Sequence, residues 1–366
     1  MRFIHTGDVH IGMEFKQASF GSTFAKKRRY EIKETFYRIL HRAMETEVDF
    51  LFISGDLFED DYVTMGDLKE ISGQLQKIAP TKVMIIAGNH DPIMNNQSKY
   101  SMMDIATNVY IMDTHVDKIS FDELNVDIYG LSWNKKTIKE RMLRDLAIED
   151  PERMNILLAH GDVYQKSEYL PIDKEHILQK GFDYIALGHI HKHDFIAHNM
   201  AYPGSPEPLD FSETGQHGFI EGTMEKGLLD VRFVPFAKRE FMALTIDIDH
   251  QMTLEDMITK ALHALADCSA DNMYRLYFKG LRDKDQLLDK TYIKERIEEV
   301  ITYAEIYDET QPNYDLTRLR QDNEGNVIGK FIAYMQEQDL NDEINRQALY
   351  EGVQALLSEK VKARAY

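Results

Sequence analysis

Five short apolar runs, each closing on a polar cluster, constrain this chain more than any other feature of its sequence. They are Phe3-Ile4-His5-Thr6-Gly7-Asp8, Asp49-Phe50-Leu51-Phe52-Ile53-Ser54-Gly55-Asp56, Lys82-Val83-Met84-Ile85-Ile86-Ala87-Gly88-Asn89-His90-Asp91, Met154-Asn155-Ile156-Leu157-Leu158-Ala159-His160-Gly161-Asp162 and Phe182-Asp183-Tyr184-Ile185-Ala186-Leu187-Gly188-His189-Ile190-His191. Runs this apolar read as strands covered on both faces. Amphipathic segments lie between several of them. Residues 26–47 place Tyr30, Ile32, Phe36, Ile39, Leu40 and Ala43 near helical spacing, and residues 65–78 read the same way. Strands alternating with helices imply an α/β fold with layered sheets. In such folds the loops after the strand C-termini carry the chemistry, and each Asp, Asn and His cluster sits at such an end.

The pattern changes near residue 200. Pro203-Gly204-Ser205-Pro206 and Pro208 mark a turn-rich loop, followed by expected hairpin strands at 218–222 and 228–235. From 241 a β-α-β-α-β unit is expected: strands at 242–248, 274–280 and 303–307, helices at 254–265 and 292–301. Beyond Pro312 the pattern is helical, and Ile344, Ala348, Gly352, Val353, Leu356 and Leu357 form one apolar stripe for internal packing, partner docking or both. We expect three parts: 1–240, 241–310 and a helical segment over 311–366.

Collected from the strand ends, the chemistry-bearing residues are Asp8, His10, Asp56, Asn89, His90, His160, His189 and His191. All are oxygen or imidazole donors. Such a mixture suits Mn²⁺, Fe or Zn²⁺ and disfavours an all-oxygen Ca²⁺ site. Seven of the eight suffice for two ions if one carboxylate bridges. In Asp8-Val9-His10 and His189-Ile190-His191 an extended chain would send residues i and i+2 to the same side. Gly7, Gly55, Gly88, Gly161 and Gly188 flank the ligands and would permit sharp turns and close backbone approach. Any one of these clusters is a weak signal. The ordered set D-x-H, G-D, G-N-H-D, H-G-D and G-H-x-H, each at a strand end, is a strong one.

This set resembles the calcineurin-like metallophosphoesterases. Within them the chain is similar to the DNA-repair exonucleases of the SbcD and YhaO type, nuclease partners of SMC-like ATPases. Asp8-Val9-His10-Ile11-Gly12, Gly55-Asp56-Leu57-Phe58 and Tyr202-Pro203-Gly204-Ser205 carry that resemblance. It implies a layered α/β/β/α sandwich over 1–240, a small α+β capping, DNA-binding domain over 241–310, and an ATPase-docking helical tail. It also implies two divalent ions, Mn²⁺ foremost. Asp8, His10, Asp56 and His191 would hold one and Asp56, Asn89, His160 and His189 the other, with Asp56 bridging. His90 matches the family's catalytic histidine and Asp91 its orienting partner. One position departs: many such nucleases carry a histidine three residues after the bridging aspartate, where this chain has Glu59. The implied partners are DNA, an SMC-like coiled-coil ATPase and a second copy of the chain.

The formal net charge of −19 opposes the simplest form of that reading, because proteins that hold DNA by bulk electrostatics are basic. The clearest local basic run is Lys26-Lys27-Arg28-Arg29; its plainer reading is a solvated helix start. Phe15, Phe20, Phe24 and Tyr30 lie near it as candidate stacking residues, with core packing as the alternative. The opening MRFIHTGDVH has no apolar run of signal-peptide length, no stretch reaches membrane-span length, and Cys268 is the only cysteine. These features set the expectation of a cytoplasmic protein without membrane partners. Two rival functions stay open: a phosphoesterase acting on a phosphoprotein or cyclic nucleotide, and a scaffold whose metal centre is vestigial.

Overall fold

The computed structural model describes residues 1–15, 21–94, 98–164 and 168–364, those from 359 on as backbone only. Phe20 lies outside the described residues. The chain forms two units, Met1–Phe241 and Met242–Tyr366.

In the first unit the elements run β1 (Arg2–Thr6), α1 (Ser22–Glu45), β2 (Phe50–Ser54), α2 (Met65–Lys77), β3 (Lys82–Ile86), β4 (Val109–Ile111), β5 (Asp117–Phe121), β6 (Val126–Gly130) and β7 (Met154–His160). They continue with α3 (Lys174–Leu178), β8 (Tyr184–Gly188), β9 (Asp194–Ala197), β10 (Met200–Tyr202), β11 (Gly218–Glu225) and β12 (Leu228–Pro235). Two six-stranded sheets result, in the orders β12-β11-β1-β2-β3-β4 and β5-β6-β7-β8-β10-β9. The central pairs β1–β2, β2–β3, β6–β7 and β7–β8 are parallel.

The alternation along each central strand explains the layering. Phe50 and Phe52 of β2 pack with Ile128, Ile156 and Tyr184 of the other sheet. Leu51 and Ile53, one residue out of phase, pack on the opposite face with Ile39 and Leu75 of α1 and α2. The second sheet buries its own outer face with α3 and the surrounding loops, through Leu157, Ile185, Leu187 and Ile177. The order is therefore α/β/β/α. Each central strand is covered on both sides, which is why its sequence is mostly apolar.

The basic run at the start of α1 is basic surface only in part, at the exposed Lys26 and Lys27. Arg28 is fully buried, its guanidinium donating to Glu31, Glu207 and the Pro208 carbonyl. Arg29 faces Glu14 at 3.9 Å. Of the nearby aromatics, Phe15 is buried in the core and Tyr30 is exposed.

In the second unit β13 (Phe241–Ile248), α4 (Leu254–Leu265), β14 (Met273–Arg282), α5 (Lys290–Glu298) and β15 (Tyr303–Pro312) give a three-stranded sheet backed by two helices. Helices α6 (Leu316–Gln321), α7 (Val327–Gln336) and α8 (Glu343–Arg364) share a separate small core. The α8 face that packs carries Leu349, Val353, Leu356 and Leu357, while Ile344 and Ala348 of the expected stripe are exposed.

Candidate metal centre

The loops that follow β1, β2, β3 and β8, together with the last residue of β7, bring the predicted residues together. Donor atoms of Asp8, His10 and His191 lie within 4.8 Å of one another, as do those of Asp8, Asp56 and His160 and those of His10, Asp56 and His90. Backbone bonds stitch these loops to each other: Asp8 N donates to the Gly55 carbonyl at 3.0 Å, and His10 N to the Asp56 carbonyl at 3.0 Å.

The convergence has a different backbone origin from the one the sequence suggests. Asp8 and His10 are not extended: their φ angles are 50° and 54°, and Asp56 and His189 also have positive φ, at 50° and 104°. Strain of this kind is held at these positions by the structure around them. Among the flanking glycines only Gly55 shares it, with φ 97°. The others serve close approach; a Cβ on Gly88 would strike the Asp56 carboxylate and one on Gly188 the Ser54 carbonyl.

Hydrogen bonds fix which nitrogen each imidazole presents. His10 Nδ1 donates to Glu59 Oε1 at 2.8 Å, and His191 Nδ1 donates to Glu213 Oε1 at 2.6 Å. That turns the two Nε2 atoms toward each other, 3.1 Å apart. His160 Nδ1 donates to the Ser54 carbonyl at 2.9 Å, and its Nε2 faces Asn89 Oδ1 at 2.9 Å. One oxygen, Asp56 Oδ2, lies between the two groups, 3.9 Å from His10 Nε2 and 3.3 Å from His160 Nε2. The other, Oδ1, accepts the His90 backbone N–H at 2.8 Å.

His189 and His191 separate. His191 joins His10, whereas the His189 ring stands 5.3 Å from the His160 ring, under Tyr169 at 4.7 Å. Among the described residues His189 is in none of the convergent groups.

Asp91 requires a correction. It does not orient the His90 ring. Its carboxylate accepts from the backbone N–H groups of Gly88 at 2.6 Å and Leu57 at 2.7 Å and from the Tyr100 hydroxyl at 2.7 Å. Asp91 thus ties the β3 loop to the β2 loop. The partner of His90 is Glu59, whose Oε2 accepts from His90 Nδ1 at 3.0 Å. Sequence reasoning also missed Glu213, which follows the Tyr202-Pro203-Gly204-Ser205 segment and is bonded to Ser205 Oγ at 3.3 Å. No local pattern marks such a carboxylate; only the general need of a ligating imidazole for an acceptor behind it predicts one.

The electrostatics are those of a cation site. Burial alone would push the His160 imidazole down, but the Asp56 and Asp8 carboxylates raise it to about 9. Burial likewise opposes charge on His191, and Glu213 and Asp8 raise it to about 9. Burial pushes the Asp8 carboxyl up. Burial also opposes charge on Asp56, yet His160, His10 and His90 hold it well below the usual carboxylate range. Carboxylates this enclosed demand positive charge beside them. Two imidazole Nε2 atoms pointed at each other, with both Nδ1–H groups already committed, form an arrangement that a divalent ion relieves. The donors present fit such a group: imidazole, carboxylate and amide oxygen, with carboxylates behind two of the imidazoles.

Known proteins match this chain as follows. The family model for calcineurin-like phosphoesterases matches residues 1–193. A DNA double-strand break repair protein Mre11 of Methanopyrus kandleri is 28% identical over 270 residues, covering 64% of this chain and 56% of the relative. The Mre11 protein of Methanocaldococcus jannaschii is 28% identical, covering 67% of this chain and 69% of its own length. An uncharacterized metallophosphoesterase, YhaO of Bacillus subtilis, is 26% identical, covering 64% and 60%. The chain thus spans little more than half to two thirds of these relatives.

Proposed function

The chain belongs to the calcineurin-like phosphoesterases, and from that membership we propose that it is a DNA nuclease working with two divalent ions, Mn²⁺ foremost. The observation that carries the two-ion reading is the Asp56 Oδ2 atom standing between His10 Nε2 and His160 Nε2. One carboxylate oxygen shared by two donor groups is what a paired-ion centre needs. Asp8, His10 and His191 would complete one site; Asn89, His160 and His189 the other. Repair of DNA as the setting is supported by similarity to proteins named for that task.

When bound, the ions supply Lewis acidity toward a phosphoryl oxygen and toward the attacking water. The chain supplies the rest. Asp8 and Asp56, both buried, set the charge that retains the ions. His90 differs from the ligands in being exposed, with 44% of its side chain accessible. Burial opposes charge on His90, but Glu59 and Asp56 raise its pKa, so the protonated ring, with Nδ1 donating to Glu59, would give its Nε2 proton to the departing sugar oxygen. An SMC-like ATPase docking on the helices of residues 311–366, and a second copy of the chain, complete the proposed assembly.

The test is a Mn²⁺-dependent digestion of end-labelled single- and double-stranded DNA, with Asp56→Ala and His90→Ala in parallel. We expect both variants to lose cleavage, and His90→Ala to retain both ions by metal analysis. Loss of an ion from His90→Ala would make that residue a ligand instead. A second reading, a phosphoester other than DNA, is favoured by the net charge of −19 and the burial of Arg28. Faster hydrolysis of a phosphopeptide or a cyclic nucleotide than of DNA would establish it.

A further inference from the structure

Glu59 is one of the few carboxylates of the centre that the proposed ion sites do not use, and its placement is unusual. It is 8% exposed, and each of its oxygens accepts from a different imidazole: Oε1 from His10 at 2.8 Å and Oε2 from His90 at 3.0 Å. The two rings stand edge to face with centroids 4.8 Å apart. The backbone around Glu59 is tied to the same two segments. Ile11 and Phe58 form a parallel bridge, Glu59 N donates to the Ile11 carbonyl at 2.9 Å, and Asp60 N donates to the His90 carbonyl at 3.0 Å. Side chain and main chain therefore lash one short segment to both histidines.

We propose that Glu59 is a positioning residue that couples the two halves of the centre, holding His10 for its ion and His90 for the substrate through one carboxylate. The inference rests on the two-ion reading above. Its physical basis is the tautomer. An imidazole whose Nδ1–H is committed to a buried acceptor presents Nε2 in a fixed direction, and supporting bonds of this kind alter metal affinity or activity about 10–100-fold when removed. In His10 that Nε2 faces His191 and Asp56. In His90 it faces away from Glu59, on an exposed side chain. One carboxylate thus serves a buried ligand and an exposed proton donor, and its removal must disturb both. Glutamine, with one acceptor oxygen and one donor nitrogen, satisfies a single imidazole.

The test uses the full chain and its Glu59→Ala, Glu59→Gln, His90→Ala and Glu59→Ala/His90→Ala variants. Mn²⁺ binding to the metal-stripped proteins is measured by calorimetry. Values of kcat and KM on a fluorescent single-stranded oligodeoxynucleotide, whose sugar alkoxide leaving group needs a proton, are measured at saturating Mn²⁺. We expect Glu59→Ala to weaken one of the two ions about 10- to 100-fold and to leave the other nearly unchanged. Its kcat should fall with little change in KM. In the His90→Ala background Glu59→Ala should lower kcat no further while still weakening the ion, because its effect on turnover passes through His90. Glu59→Gln should recover one of the two functions. Wild-type affinity for both ions in Glu59→Ala overturns the proposal, and so do losses in kcat that multiply in the double variant, the mark of a merely structural role. If Glu59→Ala does not fold, Glu59→Gln decides: loss of either ion affinity or kcat supports the proposal, and wild-type values of both overturn it. If the wild-type chain hydrolyses no phosphodiester, the nuclease reading fails and the calorimetry alone judges Glu59.

Discussion

His5 shows how burial sets the behaviour of a single residue here. It lies in β1, completely buried between the sheets. Nδ1 accepts from the Tyr184 hydroxyl at 2.9 Å, and Nε2 donates to the Leu187 carbonyl at 3.1 Å. Both nitrogens are satisfied by the neutral ring. Burial lowers its pKa to about 3, against a smaller opposing pull from the Leu187 carbonyl. The unfolded chain has an ordinary histidine near 6.5. Between those values the unfolded state binds a proton that the native state does not, so stability falls as pH falls from about 6.5 toward 3, by about 1.4 kcal/mol per pH unit for this one group. Above 6.5 neither state is protonated and the contribution is flat. Urea unfolding of the metal-stripped protein and of His5→Asn, at pH 4.5, 5.5, 6.5 and 7.5, isolates the group. The stability gap between wild type and variant should shrink with acidification below pH 6.5. A gap independent of pH would mean that His5 is not held neutral.

Helix α1 is anchored by charge as well as by its apolar face. Glu31 accepts from Arg28 at 2.7 Å and from Arg239 at 2.7 and 2.8 Å, while Glu207 accepts from Arg28 at 3.1 Å and from the Thr35 hydroxyl at 2.7 Å. All five residues are buried. Removing one partner from such a network leaves charge without compensation, which costs about 3–5 kcal/mol. Glu31→Ala should lose that much stability in urea unfolding; a loss below about 1 kcal/mol would show that water re-enters and solvates the arginines. The same helix marks the reach of the sequence. Apolar spacing revealed α1 and α2, and near-continuous apolar runs revealed the five strands that end in the candidate ligands, because a strand covered on both faces holds few polar residues to obscure it. The strands β4, β5, β6, β9 and β10 were not legible. Most are short or lie at sheet edges, as in Asp117–Phe121, where only Phe121 is buried, and the buried β6 is interrupted by Asp127, which pairs with Arg153. Nor was the role of Lys26-Lys27-Arg28-Arg29, since the carboxylates that bury Arg28 include one 179 residues away. The candidate ligands were legible because each sits at a strand end. Their supports were not: Glu59 is 49 residues from His10 and Glu213 is 22 from His191, and neither belongs to a motif of its own.

At the scale of the whole molecule, a net charge of −19 makes any engagement with DNA unlike that of a basic nuclease. A protein that neutralises 6–10 phosphates loses roughly 10³–10⁵ in affinity between 50 and 200 mM salt, because each contact releases counterions. This chain has only a small reserve in its most basic run: Arg28 is buried against glutamates and Arg29 faces Glu14, which leaves Lys26 and Lys27 exposed. Its repulsion from a polyanion is long-ranged and weakens as salt shortens the Debye length, from about 10 Å at 0.1 M. The two effects oppose each other, and with few phosphate contacts neither dominates. The affinity of the metal-loaded chain for a fluorescent oligodeoxynucleotide, followed by anisotropy, should therefore be weak. It should change less than about tenfold between 50 and 200 mM salt, the equivalent of about two phosphates. A steep slope, equivalent to about six or more phosphates, would reveal a basic surface assembled elsewhere on the molecule. A steep slope that appears only when an ATPase partner is added would place the electrostatic grip in that partner, leaving this chain to supply the cutting centre.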